Sequence, residues 1–287
     1  EFCLSSLDPR IRGFPLENVL LHIERLIKRG AQRLKFIDRT FNADIPSACR
    51  IIDFLAARYR PGLQAHFEMV PDRFPPPLLA SIQRAPPGLL RFEIGVQTVD
   101  PEVAERIRCR RDLTMLEATL RRLLDCGVHL HVDLIVGLPG ETPESVAAGF
   151  DRLIRCGPQE IQLGILKRLR GTPIKRHDAA WGMVYRTDPP YDILENRLIP
   201  RPLMDRYKHM AAYWERMANR GRFPATLPLL WKEADSPFAA FLQWSDWLYA
   251  RFGRTHSIPL QALVATLRDY LIAEHGLDPA AVDTALR

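Results

Sequence analysis

The sequence predicts an α/β chain: a parallel sheet closed or partly closed into a barrel, followed by a mostly α-helical C-terminal region. Three observations predict it. Short β-prone runs alternate with amphipathic segments of helical period, which is the pattern of βαβ crossovers. Polar or glycine-bearing sequences sit where five of those runs end, where a parallel sheet gathers its ligands. The alternation stops near Thr172-Pro173, and the remaining third of the chain reads as helices rich in Trp and Pro.

Leu16, Val19, Leu20, Ile23, Leu26 and Ile27 form one apolar helical face after Pro15, closed by Gly30. A strand is predicted from Leu34 to Asp38, a helix from Pro46 to Tyr59, and after the Pro61-Gly62 turn a strand from Leu63 to Met69. A short helix near Leu78 to Arg84 leads to the strand Leu90 to Val96. Helices through Glu102 to Ile107 and Met115 to Cys126 precede Gly127 and the strand Val128 to Val136. The helix Pro143 to Cys156 and the strand Glu160 to Leu166 complete the alternation. Beyond it, helices are expected near Pro202 to Asn219, Pro237 to Phe252, Pro259 to His275 and Pro279 to Leu286, with a long loop from Lys175 to Pro200. The division expected is a barrel unit over 1–175 and a helical unit over 176–287.

Composition excludes several classes. With 47% hydrophobic and 26% charged residues the chain is an ordinary globular sequence, not a disordered one. It has no run of about 18 apolar residues to span a membrane and no charged-then-apolar leader, so the cytosol is the default. Five scattered cysteines without Cys-x-x-Cys spacing suggest reduced thiols, and neither a disulfide framework nor an internal zinc site. The excess of 40 basic over 34 acidic residues permits an anionic partner such as nucleic acid without requiring one.

Chemistry concentrates at the strand ends. These read Phe36-Ile37-Asp38-Arg39-Thr40-Phe41-Asn42, His66-Phe67-Glu68, Glu93-Ile94-Gly95-Val96-Gln97-Thr98, His131-Val132-Asp133-Leu134-Ile135-Val136-Gly137-Leu138-Pro139-Gly140-Glu141-Thr142 and Gln162-Leu163-Gly164-Ile165-Leu166-Lys167. The third and fourth of these, in that order, resemble the radical S-adenosylmethionine superfamily. That resemblance implies a partial parallel (β/α)6 barrel. It also implies a [4Fe-4S] cluster on Cys-x-x-x-Cys-x-x-Cys after the first strand, with an aromatic residue often preceding the last cysteine. Phe2-Cys3 matches that ending, so Cys3 is expected as a metal ligand and the chain as a fragment lacking the first strand. The other two cysteines are expected one and five residues upstream of Glu1. Without them the chain by itself is expected to be inactive, since a single thiolate does not hold the cluster.

The same resemblance implies the cofactor contacts. Asp38, Thr40 and Asn42 would hold the methionyl amino group of S-adenosylmethionine, as a carboxylate and short polar groups suit an ammonium; loop capping is the structural alternative for Asp38 and Asn42. Gln97 and Asp133 correspond to positions that bind the ribose hydroxyls, and Glu93 lines the cavity beside them. Gly137 would let the backbone approach the adenine edge, with Leu138 stacking on it. The family's carboxylate-binding Arg falls, by gapless counting from Gln97, on Cys109, and Arg108 or Arg110 is the substitute. A finer resemblance, carried by His129 to Pro139, Gln162 to Pro173, Pro190 to Leu194 and Asn219 to Phe223, is to a subgroup with a C-terminal helical domain of unknown function. Its members carry a cobalamin-binding domain ahead of the core, so cobalamin is implied for the full-length protein. A reducing electron donor is implied as a partner. The substrate, small or macromolecular, is left open.

Two other readings stand beside it. His129, His131 and Asp133 alternate on one strand and face the same side, as in a metal-dependent barrel hydrolase. A non-catalytic scaffold or RNA-binding module also fits the basic balance, although no stacking-aromatic RNA motif is present. Trp214, Trp231, Trp244 and Trp247 are expected in the core, and Lys167 is either a solvated lysine or an anion contact.

Overall fold

The computed structural model describes residues 1–4, 7–8 and 10–286. Its centre is a parallel sheet of five strands: β1 (Arg33–Lys35), β2 (Gln64–Met69), β3 (Leu90–Gln97), β4 (His129–Val136) and β5 (Glu160–Ile165). Their spatial order is their sequence order, β1-β2-β3-β4-β5, with every neighbouring pair parallel. Winding in one direction keeps the crossover helices on one face and leaves the other open, the arrangement of a half-barrel. The partial barrel expected from the sequence is therefore the fold observed.

The alternation of side chains divides the sheet cleanly. In β3, Leu90, Phe92, Ile94 and Val96 are buried toward the helices, while Arg91, Glu93, Gly95 and Gln97 face the open side. β4 repeats this with Leu130, Val132, Leu134 and Val136 buried, and His129, His131 and Asp133 on the open side. The covering helices are α1 (Leu16–Lys28), α2 (Ile45–Ala56), α3 (Pro76–Arg84), α4 (Pro101–Arg106), α5 (Leu113–Asp125) and α6 (Pro143–Cys156). Their starts are locally encoded. Asp100 accepts from the backbone of Glu102 and Val103, Asp112 from Thr114 and Met115, and Thr142 with Ser145 closes a capping box before α6. Gly157 ends α6 in the left-handed conformation.

The sequence places the end of β1 later than the structure does. Its last ladder bond, from Phe36 N to His66 O at 3.0 Å, leaves Ile37 and Asp38 in the following loop. There Phe36, Phe41 and Phe67 pack ring against ring and direct the backbone off the sheet.

The C-terminal region begins with the short helix α7 (Asp178–Trp181) and an antiparallel pair, β6 (Val184–Tyr185) with β7 (Ile193–Glu195), inside what the sequence offers only as a long loop. The helices α8 (Arg201–Trp214), α9 (Pro237–Phe252), α10 (Leu260–Ala273) and α11 (Pro279–Ala285) follow, α8 running on through a wider turn at Glu215–Asn219. This region shares the core of the sheet. Phe150 of α6 meets Trp214 and Phe238, and the Phe238 N–H donates to Asp151 at 2.7 Å. Asn219 covers the outer edge of β5, its carboxamide exchanging two 3.1 Å hydrogen bonds with the backbone of Ile161. Trp214 and Trp244 are buried, and Trp231 and Trp247 pack partly exposed against the same core. No helix of the described residues is long and apolar enough to cross a membrane.

Candidate active site on the concave face

The open side of the sheet is polar and internally paired. Glu93 receives His66 Nε2 at 2.9 Å and Lys35 Nζ at 3.5 Å. The His66 hydrogen bond, with help from the charges of Lys35 and His131, holds its carboxyl down to about 2. Glu160 gathers Arg91 at 2.5 Å, His129 at 2.7 Å and His131 Nδ1 at 3.4 Å. Glu68 lies 3.6 Å from Arg39, and burial pushes its carboxyl up, with the Glu93 charge adding to the effect.

One part of this face, at the C-terminal ends of β3 and β4, keeps buried polar atoms without hydrogen bonds. Burial pushes the Asp133 carboxyl up, opposed by His131. Burial also pulls His131 down, but the facing Asp133 carboxylate and the charges of Glu160 and Glu93 outweigh this and raise it. His131 Nε2 and Asp133 Oδ1 are 3.1 Å apart yet misaligned, and both atoms are buried without a hydrogen-bond partner among the described residues. Gln97 Oε1 is a third such atom. Gln97 sits at φ 72 where the β3–β4 register slips, so that Gly95 pairs with Asp133 and Gln97 with Leu134. The glycine at 95 is required by this arrangement. A Cβ there would stand 2.1 Å from Gln97 Nε2, because the carboxamide folds back over the bare Cα.

Buried acceptors without hydrogen bonds are few in folded chains, and a ligand carrying donors would satisfy these. Gln97 and Asp133 are the residues expected to bind a ribose diol, and two hydroxyl donors fit these two orphaned oxygens.

Other expected site residues are placed differently. Asn42 is fully buried and committed to the backbone: its Nδ2 donates to Val70 O and Arg73 O, each at 2.8 Å, and its Oδ1 accepts from Val70 N at 2.9 Å. It ties the loop after β1 to the end of β2, the capping alternative, and both its donors are used. Asp38 and Thr40 instead line an open cavity of about 360 Å³ with Phe36, Phe41 and the Arg12 to Phe14 segment. Leu138 is entirely buried, so its side chain packs in the core rather than stacking on an open pocket. The Gly137 backbone is covered by the C-terminal region. A Cβ there would meet Ile193 Cγ2 at 2.7 Å and Met204 Cε at 3.1 Å, and its carbonyl accepts from Asn196. These partners lie more than fifty residues along the chain, so the sequence does not show that they cover Gly137, which it offers as an adenine contact instead.

Arg108 is exposed, at φ 56, and pairs with Glu1 at 3.0 Å. Glu1 also meets Arg176 at 2.6 Å and His177 at 3.0 Å, so the start of the chain is held between the α4–α5 connection and the turn that follows β5. Cys3, two residues on from Glu1, is partly exposed. Cys49, Cys109, Cys126 and Cys156 are dispersed over the helical side, and the described residues bring no three His, Cys, Asp or Glu together around a metal position. The cluster thus does not fit the residues of this chain alone. The hydrolase alternative lacks its ligand set too, since His129 and His131 are turned onto Glu160. Lys167 is exposed, its backbone bridged to Asp192.

A residue of the strand-end motif to which the sequence assigns no role is Glu141, in the loop after β4. It is 2% exposed, accepts from the Thr98 hydroxyl at 2.7 Å, and is pushed up to about 8, mainly by burial. An acidic residue between Gly140 and a helix cap carries no local sign of being buried.

A one-way wound half-barrel of parallel strands covered by helices defines a βα-barrel protein, a class whose sites lie at the strand C-termini. The radical SAM superfamily matches residues 1–153, more than half the 287, and the chain belongs to that superfamily. A family described as protein of unknown function, DUF4080, matches residues 179–287. The ribosomal protein uS12 methylthiotransferase RimO of Geobacter sulfurreducens is 27% identical over 170 residues, covering 53% of this chain and 38% of that protein. The tRNA-2-methylthio-N(6)-dimethylallyladenosine synthase of Thermotoga petrophila is 23% identical over 277 residues, covering 88% and 59%. Among solved structures, the cobalamin-dependent S-adenosylmethionine radical enzyme OxsB with aqua-cobalamin bound aligns with a TM-score of 0.56 at 13% identity, over 96% of this chain and 53% of that one. The radical S-adenosylmethionine methyltransferase TsrM from Kitasatospora setae, with tryptophan and a SAM analogue bound, aligns at 0.52 and 21% identity, over 62% and 36%. These two are likenesses of fold. The chain spans well under two thirds of the length of the curated relatives it matches, 38% and 59% for the two above.

Proposed function

We propose that this chain is the S-adenosylmethionine-binding part of a radical enzyme, with the ribose held between Gln97 and Asp133 at the ends of β3 and β4. The observation that carries the reading is a pair of buried acceptors that no hydrogen bond satisfies, Gln97 Oε1 and, beside the His131 ring, Asp133 Oδ1, next to the bare Gly95. When bound at a [4Fe-4S] cluster, S-adenosylmethionine supplies a 5′-deoxyadenosyl radical by reductive cleavage. The residues of this chain bind and orient it. Gln97 and Asp133 accept from the two ribose hydroxyls, and Glu93, kept ionised by His66, lines the floor of the same face. Asp38 and Thr40 border the cavity after β1, where an ammonium is suited to their oxygens. Cys3 contributes one thiolate, the remaining cluster ligands lying outside these 287 residues. Arg108 stands beside the segment that carries Cys3 and is the candidate for the methionyl carboxylate.

The full-length protein is further proposed to use cobalamin and to draw its electron from a separate reductant. The helical region packed on the half-barrel supports the first of these, because the fold likeness to the cobalamin-dependent enzyme extends over 96% of this chain.

The test has two arms. Calorimetric binding of 5′-deoxyadenosine to this chain is expected to weaken about tenfold in Gln97→Ala and in Asp133→Asn, and to be lost with a 2′,3′-dideoxyribose analogue. Anaerobic iron and sulfide reconstitution of a version extended upstream of Glu1 is expected to give a cluster and 5′-deoxyadenosine, both lost in Cys3→Ala. An extended protein that takes up no cluster and forms no 5′-deoxyadenosine refutes the reading.

A further inference from the structure

We propose that Glu141 is a positioning residue which, through Thr98, holds Gln97 in the left-handed turn that presents its side-chain oxygen to the ribose; the inference rests on the cofactor reading above. The turn is unusual. Gln97 has φ 72, and the Thr98 N–H reaches back to Val96 O at 2.9 Å, closing a three-residue γ-turn around Gln97. This form of the γ-turn is rare and strained, and a residue with a Cβ stays in it only when its surroundings fix it.

The fixing contact is visible on the next residue. Thr98 is 4% exposed, its hydroxyl donating to Glu141 Oε1 at 2.7 Å and accepting from Asp100 N at 3.1 Å. The strand that ends in Gln97 is thereby tied on one side to the cap of α4 and on the other to the loop after β4. That loop is itself held, the Glu141 N–H donating to Leu138 O at 3.2 Å. Leu134, Ser145 and Gly149 close in around Gln97 and Glu141.

A carboxyl group is an expensive choice for so dry a place unless its hydrogen bond is needed. Glu141 Oε2 has no partner among the described residues, so Thr98 is the one side chain this carboxyl engages there. Burial keeps the group protonated at neutral pH, so it accepts from Thr98 without leaving a charge in the core. If the contact is lost, the Thr98 hydroxyl keeps only its bond from Asp100 N–H, and the strained turn is freed toward an ordinary strand ending. The Gln97 carboxamide then leaves its place over Gly95.

The test uses the whole chain and two readouts, amide hydrogen exchange by NMR and calorimetric binding of 5′-deoxyadenosine. In Glu141→Ala the Thr98 amide is expected to exchange at least about tenfold faster while amides in the middle of β3 are unchanged. Affinity for 5′-deoxyadenosine is expected to fall about tenfold, the effect of one hydrogen bond. Glu141→Gln keeps the acceptor and is expected to preserve both. In a Gln97→Ala background the Glu141→Ala change is expected to cost no further affinity, because the effect runs through Gln97. Should Glu141→Ala fail to fold, Thr98→Val carries the same readouts from the other partner. An unchanged Thr98 exchange rate, or losses that add with Gln97→Ala, overturns the proposal. If the wild-type chain does not bind 5′-deoxyadenosine while Thr98 exchange responds as expected, the cofactor reading falls and the latch on the turn stands.

Discussion

Glu141→Gln should change how stability depends on pH. The carboxyl titrates at about 8 in the folded chain against 4.5 in an unfolded one, and burial is the main cause. The charge of Asp100 adds to the shift, the Thr98 hydrogen bond opposes it, and Tyr207 of α8 is the other titratable group that senses Glu141. Between those two values the folded chain keeps a proton that the unfolded chain has released. The stabilisation is therefore complete below 4.5 and is lost as pH rises to about 8. One pH unit is worth about 1.4 kcal/mol, so the interval from pH 5 to pH 8 removes on the order of 4 kcal/mol, an upper figure. Glutamine cannot ionise and keeps the acceptor for Thr98. Urea unfolding of both proteins at pH 5, 6, 7 and 8, at one ionic strength, isolates the residue by difference. The wild type should lose ground to Glu141→Gln steadily across the series. Parallel stability curves, within about 0.5 kcal/mol throughout, would show that the acid is not buried in neutral form, and the reasoning would fail.

Other outcomes rest on the same geometry. Gly95→Ala puts a Cβ where Gln97 Nε2 lies, 2.1 Å away, at an ordinary φ. Binding of 5′-deoxyadenosine should drop while urea stability changes by less than about 1 kcal/mol. Asn42→Ala strands the Val70 N–H and two carbonyls, and should cost about 2–4 kcal/mol in urea unfolding. Gly137→Ala combines φ +93 with a 2.7 Å approach to Ile193 Cγ2, and should cost about 2 kcal/mol or more by the same measure. His66→Gln should raise the Glu93 carboxyl from about 2 toward 4.5, followed by carbon NMR titration. Because the folded value is depressed, Glu93 stabilises the wild type above 4.5 and loses that effect as pH falls toward 2, so the variant should be the less stable of the two above pH 5.

The half-barrel is legible because its signals are local. Period-two alternation in Leu90 to Gln97 and His129 to Val136 states which face is buried, and Asp100, Asp112 and Thr142 announce the helices between them. The end of β1 reads too late in the sequence because Phe36 and Ile37 look like strand residues, whereas the backbone leaves the sheet after Phe36, whose ring stacks on Phe67. The β6–β7 pair is hidden because two- and three-residue strands carry no period to read.

For the site, the sequence names Gln97 and Asp133, and both have unsatisfied acceptors on one face. It cannot separate them from Asn42 or Leu138, which the resemblance offers equally as cofactor contacts but which have different surroundings. Asn42 is consumed by backbone atoms of Val70 and Arg73, and Leu138 by the core. Gly137 reads as room for a ligand and is room for Ile193 and Met204. By itself, then, the sequence determined the winding of the sheet, the polar face and the residues able to serve it. The tertiary structure alone decided which polar groups remain unpaired, since hydrogen-bond partners come from segments far apart in the chain. It alone showed Glu141 beneath Gln97, because a carboxyl group's burial is a property of what folds over it.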